Sequence, residues 1–272
     1  MKMLSSDDRL ALYGYGVFET LRVTKCKLEV PDLHYKRMLE GAKALGLEVV
    51  AYEVWLDNIL RYLETQDCGD TFSLRLTLSG GAVDNKISPE IFYHIRSIPY
   101  TLDQYQNGEK ICFLSTKRNE YSYLIRIKST NYIENILARQ EAASKGAIEG
   151  IWVNSKGFLT EGSVSNIFFN VGGTLYTPSL ESGCLPGTRR FIILELAKSL
   201  NIPYKEDSFE PELLKEAKEI FLTNALMGIM PIYGIDDFLI GDSFKLSNSL
   251  TNRLGSAYRE YVFTNSVLLQ TR

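Results

Sequence analysis

Histidine is nearly missing from this chain: two, His34 and His94, in 272 residues. The four cysteines, Cys26, Cys68, Cys112 and Cys184, are scattered and form no CxxC pair. Neither zinc-ligand spacing nor a disulfide framework can be read from them, so they read as buried small hydrophobes of a reducing compartment. Net charge is also close to absent, with 30 basic residues against 33 acidic. No basic run interleaves with aromatics, which argues against a nucleic-acid surface. The longest apolar runs, such as "ICFL" and "IFF", are too short to span a membrane. The N-terminal "MKMLSSDDRLALYG" lacks the apolar core of a secretory signal, so a cytoplasmic location is expected.

What is present is an ordinary globular composition, 45% hydrophobic and 23% charged, at a length that suits one large domain or two smaller ones. In the first third, "GVFETLRVTKCKLEV" reads as two strands around a polar tip near Lys25. Leu33, Tyr35, Met38, Leu39, Ala42 and Leu45 then recur at helical spacing, with Gly46 as a stop. A second helix follows in "AYEVWLDNILRYLE", its apolar side expected at Val54, Leu56, Ile59, Leu60 and Leu63. "TFSLRLTLSGG" and "EIFYHIRSIPY" are strands. This pattern predicts a small α+β domain over 1–102, a polar linker over 103–109 and a larger domain over 110–272.

In the larger part, "KICFLSTKRN" reads as a strand whose loop ends at Lys128. A helix is expected over about 129–145, capped by Ser129 or Asn131, with Ile133, Ile136 and Leu137 inward. A β-meander over "EGIWVNSKGFLTEGSVSNIFFNVGGTLYTPS" turns at Ser155–Gly157 and Gly172–Gly173. "GCLPGTRRF" opens into a helix, "PELLKEA" is a short helix with proline at its first position, "EIFLTNA" is a strand, and "SNSLTNRLGSAYREYVF" is a closing helix.

Three features carry chemistry. Lys128 stands where a strand hands over to a helix, whose positive end disfavours a second cation and so favours a neutral amine. In "GCLPGTRR", glycines beside a helix start present backbone N–H groups to an anion, with Arg189 and Arg190 close by; the spacing is not that of a Walker loop. Glu161, at a strand end in "LTEGSVSN", could hold a protonated ring nitrogen. Singly each reads as well as a surface lysine, a helix cap or a turn residue. A lysine, an anion cradle and a carboxylate together are what pyridoxal phosphate requires: partners for its aldehyde, phosphate and pyridinium.

The segments "YGYGVFETLR", "HYKRMLEGAKALG", "IKSTNYIENILARQEA", "LTEGSVSNIFF", "GCLPGTRR" and "TNALMGIMPI", in this order, make the chain similar to the fold-type IV pyridoxal-phosphate enzymes. That family includes branched-chain aminotransferases, D-amino-acid aminotransferases and 4-amino-4-deoxychorismate lyases. The resemblance implies a small α+β domain plus a larger pseudo-barrel domain, pyridoxal 5′-phosphate as cofactor and a homodimer. It implies that Lys128 bonds covalently to the cofactor and moves protons, that Glu161 keeps the pyridine nitrogen protonated, and that Arg37, Gly187 and Thr188 bind the phosphate. Asn224 and Ala225 fall in a further phosphate-side loop, and Tyr132 neighbours the ring oxygen. Thr20, in "GVFET", stands where the lyases carry a catalytic threonine, and "TNALMGIMPI" resembles their "NALM…MP" segment. The implied reaction is release of 4-aminobenzoate and pyruvate for folate synthesis; the alternative is amino-group transfer. Arg22 or Arg75 is the expected ligand of a substrate carboxylate. Tyr15, Thr188–Arg189 and Ala225 depart from the family's usual residues, and the usual N-terminal hairpin has no counterpart before "SSDDR".

Overall fold

Alternation along the first strand decides the architecture of the N-terminal region. In β1 (Gly16–Thr24) Val17, Leu21 and Val23 are fully buried, while Thr20, Arg22 and Thr24 on the opposite face are not, as period-two geometry requires. The computed structural model describes residues 3–66, 71–83 and 87–269; Cys68 lies outside them. The described residues divide into two units, one of those within 1–99, 127–132 and 262–272, the other of 100–126 and 133–261.

The first unit begins with a short helix, α1 (Arg9–Tyr13), and β1, which turns into β2 (Lys27–Leu28). Two helices follow, α2 (Pro31–Ala44) and α3 (Tyr52–Glu64), then β3 (Thr71–Ser79) and β4 (Ile91–Arg96). β1 lies antiparallel between β2 and β3, and β4 flanks β3. α2 buries Pro31, His34, Met38, Gly41 and Ala42, while Leu39 is exposed. α3 buries Trp55, Ile59 and Leu63 and leaves Val54 outside. The expected faces hold at Met38, Ala42, Ile59 and Leu63 and fail at Leu39 and Val54; Trp55, with far more apolar surface to bury than Val54, takes the inner place in the core beneath α3.

The second unit opens with α4 (Leu102–Asn107), in the segment expected to be a linker. Its polar residues cap a helix: Gln104 N–H donates to Thr101 Oγ1 and Thr101 N–H to Gln104 Oε1. Then come β5 (Glu109–Arg118), α5 (Ile133–Ser144), β6 (Glu149–Asn154), β7 (Leu159–Gly162), β8 (Asn166–Val171) and β9 (Thr174–Pro178). They are followed by α6 (Thr188–Ser199), β10 (Tyr204–Asp207), β11 (Glu219–Asn224), β12 (Gly228–Ile235), β13 (Phe238–Leu239) and α7 (Leu250–Thr264). The last strand, β14 (Val267–Leu268), returns to β2 in the first unit's sheet. The second unit's sheet runs β10-β9-β8-β11-β12-β5-β6-β7, with β13 on β12. The expected meander is thus broken after β7, and β8 pairs with β9 and β11. "PELLKEA" forms a 3-10 turn over Pro211–Glu216.

The expected helix over 129–145 starts later, at Ile133. Residues 128–130 instead extend the first unit's sheet: Phe18 N–H donates to Lys128 O, Thr130 N–H to Gly16 O, and Ser129 bridges Val17. The free edge of β1 beyond the β2 hairpin offers unpaired backbone groups, and this segment satisfies them. α5 buries Asn135, Ala138 and Ala142, whereas Ile133, Ile136 and Leu137, expected inward, are exposed. Among the described residues no helix is long and apolar enough to cross a membrane.

Candidate active site

Sheet pairing puts Lys128 beside β1. Its Nζ lies 4.4 Å from the centre of the Phe18 ring and 5.7 Å from that of Tyr132. Phe18 and Tyr132 meet edge to face at 5.1 Å. Arg75 lies over the same Phe18 ring at 3.6 Å and is the cross-strand partner of Thr20. Lys128, Tyr132, Thr20 and Arg75 are thereby gathered around one aromatic residue of the first unit. α5 begins at Ile133, five residues beyond Lys128 in the chain, and Lys128 itself lies beside the edge of β1 with the Phe18 and Tyr132 rings as neighbours.

The two arginines singled out for a substrate carboxylate differ. Arg22 Nε is 3.6 Å from Glu29 Oε1 and donates to Thr24 Oγ1 at 3.1 Å. Among the described residues no carboxylate comes within ion-pair reach of Arg75, whose Nε donates at 3.3 Å to Thr77 Oγ1. Burial pushes the Arg75 guanidinium below its ordinary pKa; Tyr132 opposes the shift and Arg96 adds to it.

Arg37, on α2, forks the fully buried Glu19: Nε donates to Oε1 at 2.8 Å and Nη2 to Oε2 at 2.7 Å. His34 Nδ1 lies 2.7 Å from the same Oε2. Burial alone would raise the Glu19 pKa, but the charge and hydrogen bonds of Arg37, helped by His34, bring it down to about 2. Neither Glu19 nor His34 was singled out from sequence. The available signal was a charged residue at a core-facing position of a strand, between Val17 and Leu21.

In the second unit Glu161, at the end of β7, is buried. Its Oε2 accepts from Leu185 N–H at 2.9 Å and Asn166 Nδ2 at 3.3 Å, and its Oε1 is 3.6 Å from Arg118 Nη2. Asn166 also donates to Leu185 O, so the carboxylate is held between the β8 start and the loop before α6. That loop ends at Gly187, the N-cap of α6, where no side chain caps the helix, and buried Thr188 is the first helical residue. A Cβ at Gly187 would overlap the Asn166 side-chain oxygen, so any other residue here would displace the amide that bonds Glu161 and Leu185. Asn224 ends β11, and its Oδ1 closes a turn by accepting from Leu226 and Met227 N–H groups at 2.9 and 2.8 Å. Arg189 is turned inward, donating to Tyr258 Oη at 2.8 Å and to Ala225 O at 3.3 Å. Arg190 pairs with Glu206. The two arginines expected to add charge to the anion cradle therefore carry structural bonds of their own.

This fold and these residues define a class. The chain belongs to the amino-transferase class IV family, which matches residues 16–235. It has the two-domain α+β fold of that family, fold-type IV, and pyridoxal 5′-phosphate is its cofactor. Aminodeoxychorismate lyase of Bacillus subtilis (strain 168) is 31% identical over 271 residues, covering 96% of this chain and 90% of that protein. D-alanine aminotransferase of Staphylococcus aureus (strain N315) is 27% identical over 277 residues, covering 97% and 94%. Among solved structures, the branched-chain amino acid aminotransferase from Escherichia coli shares the fold at a TM-score of 0.85 and 22% identity, covering 99% of this chain and 94% of that one.

The residues present fit such a cofactor. A buried carboxylate on which two N–H donors converge suits a cationic ring nitrogen, and an uncapped helix start at a glycine suits a phosphate. Thr223 Oγ1, beside Asn224, is buried without a hydrogen-bond partner among the described residues, an orphan polar atom of the kind that a bound group satisfies.

Proposed function

We propose that the protein is a 4-amino-4-deoxychorismate lyase, which releases 4-aminobenzoate and pyruvate and so supplies folate synthesis from the cytoplasm. The observation that carries this reading is the cluster around Phe18: Lys128, Thr20 and an Arg75 without a carboxylate partner among the described residues. The similarity to the Bacillus subtilis lyase supports it.

Lys128 and Glu161 are assigned to the cofactor, with Arg37, Gly187, Thr188, Asn224 and Ala225 on its phosphate and Tyr132 near its ring oxygen. When bound, pyridoxal phosphate supplies an electron sink for the carbon bearing the substrate amine. Lys128 removes the proton from that carbon as general base. Glu161 keeps the ring nitrogen protonated. The bond between the substrate ring and the enolpyruvyl oxygen breaks, the ring becomes aromatic, and Thr20 assists the proton transfer that turns the enol into pyruvate. Arg75, rather than the paired Arg22, receives a substrate carboxylate.

A homodimer accompanies this reading. Ile133, Ile136 and Leu137 expose between 47% and 64% of their surface along one helix, an apolar face of the kind that subunit contacts cover. Light scattering at working concentration should give twice the chain mass. The activity test is to supply cofactor-loaded protein with aminodeoxychorismate and follow 4-aminobenzoate together with pyruvate. Equimolar release, abolished in Lys128→Ala, is expected. Amino-group transfer from an amino acid to a 2-oxo acid, with no 4-aminobenzoate formed, would establish the aminotransferase instead, a reading that the Staphylococcus aureus relative favours.

A further inference from the structure

We infer that Glu19 and His34 are positioning residues that aim the Arg37 guanidinium at the cofactor phosphate. This rests on the reading that Arg37 meets that phosphate.

Glu19 occupies a position of β1 where its neighbours on the same face, Val17 and Leu21, are core residues, and it has no solvent exposure. A carboxylate there gives up its hydration. An apolar side chain of similar volume would serve stability as well, so its ion pair with Arg37 is poorly explained by stability alone.

Its geometry is better explained by direction. Glu19 engages the Nε and Nη2 of Arg37, one edge of a planar group. A two-point fork fixes both the plane and the rotation of a guanidinium, which a single hydrogen bond would not. The remaining nitrogen, Nη1, is then turned away from the carboxylate. His34, completely buried, adds a second partner to Oε2 at 2.7 Å, so that the carboxylate is itself held at more than one point. Of the three side chains only that of Arg37 reaches the surface, with 10% exposure against none for the other two. The trio has one outlet, and it is a guanidinium whose orientation is already set.

The test compares two probes that differ only in the phosphate: pyridoxal 5′-phosphate and pyridoxal, each titrated into the full chain freed of cofactor. Glu19→Gln keeps size and removes the charge that holds the fork. It should weaken pyridoxal phosphate roughly ten-fold, the worth of one charge-assisted hydrogen bond, and leave pyridoxal unchanged. Combined with Arg37→Gln it should add nothing further. Equal weakening of both probes, or no weakening while Arg37→Gln still selectively loses pyridoxal phosphate, overturns the inference and leaves the phosphate role of Arg37 standing. An Arg37→Gln protein that does not distinguish the probes overturns both. Should Glu19→Gln fail to fold, His34→Gln carries the same comparison, with the same selective loss expected and the same results decisive against it.

Discussion

Glu19 and Glu149 are both completely buried carboxylates, one in each unit, and they are shifted in opposite directions. Glu19 has a guanidinium and an imidazole on its two oxygens and falls to about 2. Glu149 is pushed up by burial and keeps no cation in contact among the described residues. Its oxygens accept from neutral donors: Ser163 N–H at 3.0 Å, Gly150 N–H at 3.2 Å and the Ser163 hydroxyl on one, Val164 N–H at 3.1 Å and the Ser165 hydroxyl at 2.9 Å on the other. Burial penalises either carboxylate; at Glu19 the charge and hydrogen bonds of a directly paired guanidinium outweigh it, whereas at Glu149 neutral hydrogen bonds and the weaker attraction of Arg139 do not. The difference also separates two tasks. The charged set in the first unit orients an arginine. The neutral set in the second holds the loop over 163–165, which leads from Glu161 to Asn166 and is further tied by Asn135 to Ser163 O and by Asn224 to Val164 O.

The largest expected effect comes from breaking the charged set. Glu19→Ala leaves Arg37 and His34 without their shared acceptor, and urea denaturation at pH 7 should show a loss of about 3–5 kcal/mol. Its pH dependence sharpens the contrast. A folded value of about 2 against an ordinary 4.5 means that the contribution of Glu19 is fully present above about 4.5 and is lost as pH falls toward 2. Wild type and Glu19→Gln should therefore converge in stability across that interval, and curves that stay parallel would exclude the assignment.

Glu149→Gln should cost less, about 1–3 kcal/mol. Whichever oxygen the amide NH2 replaces, it meets a backbone N–H, because Ser163 N–H lies on one side and Val164 N–H on the other. For Glu149 the sign is opposite to that of Glu19: a raised folded value favours the protonated acid, so its ionisation subtracts stability as pH rises. Between pH 2 and pH 4.5 the gap between Glu149→Gln and wild type should not grow with pH as the Glu19 gap does. Parallel growth of both gaps would show that the two carboxylates do not differ as described.

The contrast also marks where sequence reading reached and where it stopped. Glu161 and the Gly187 helix start stand at recognisable punctuation, a strand end and a glycine before a helix, so local pattern could single them out. Lys128 is singled out at an expected strand-to-helix handover, but β5 ends at Arg118 and α5 starts only at Ile133. Glu19 carries no such mark, since its role comes from α2 lying over β1, a contact between residues 15 and 18 positions apart in sequence. The start of α5 was misplaced for the same reason. Ser129, Thr130 and Asn131 are good caps by type, but Thr130 N–H donates to Gly16 O and Asn131 Nδ2 to Tyr13 O. Long-range pairing therefore overrode a local preference. Periodicity in α5 gave a helix but the wrong inner face, because Asn135 and two alanines fill the narrow space while the larger Ile133, Ile136 and Leu137 remain outside.

A smaller perturbation can refine the carboxylate comparison without touching either site. The two-residue loop between β1 and β2 holds Lys25 and Cys26 at φ 49° and 58°, a pair of left-handed conformations that suits Asn-Gly far better. Non-glycine residues held there cost about 1–3 kcal/mol each in general. Glycine at position 26 gives back about 0.5–1 kcal/mol through the freedom it adds to the unfolded chain. The balance favours the substitution, so Lys25→Asn with Cys26→Gly should stabilise the protein by about 1 kcal/mol in urea denaturation. Placed behind Glu19→Ala, at the tip of the same strand and away from the ion pair, the gain should simply add. Pyridoxal phosphate affinity should meanwhile stay at the Glu19→Ala level, because restoring the stability of β1 does not restore the acceptor that orients Arg37. Recovery of affinity along with stability would mean that Glu19 acts only by holding the strand in place.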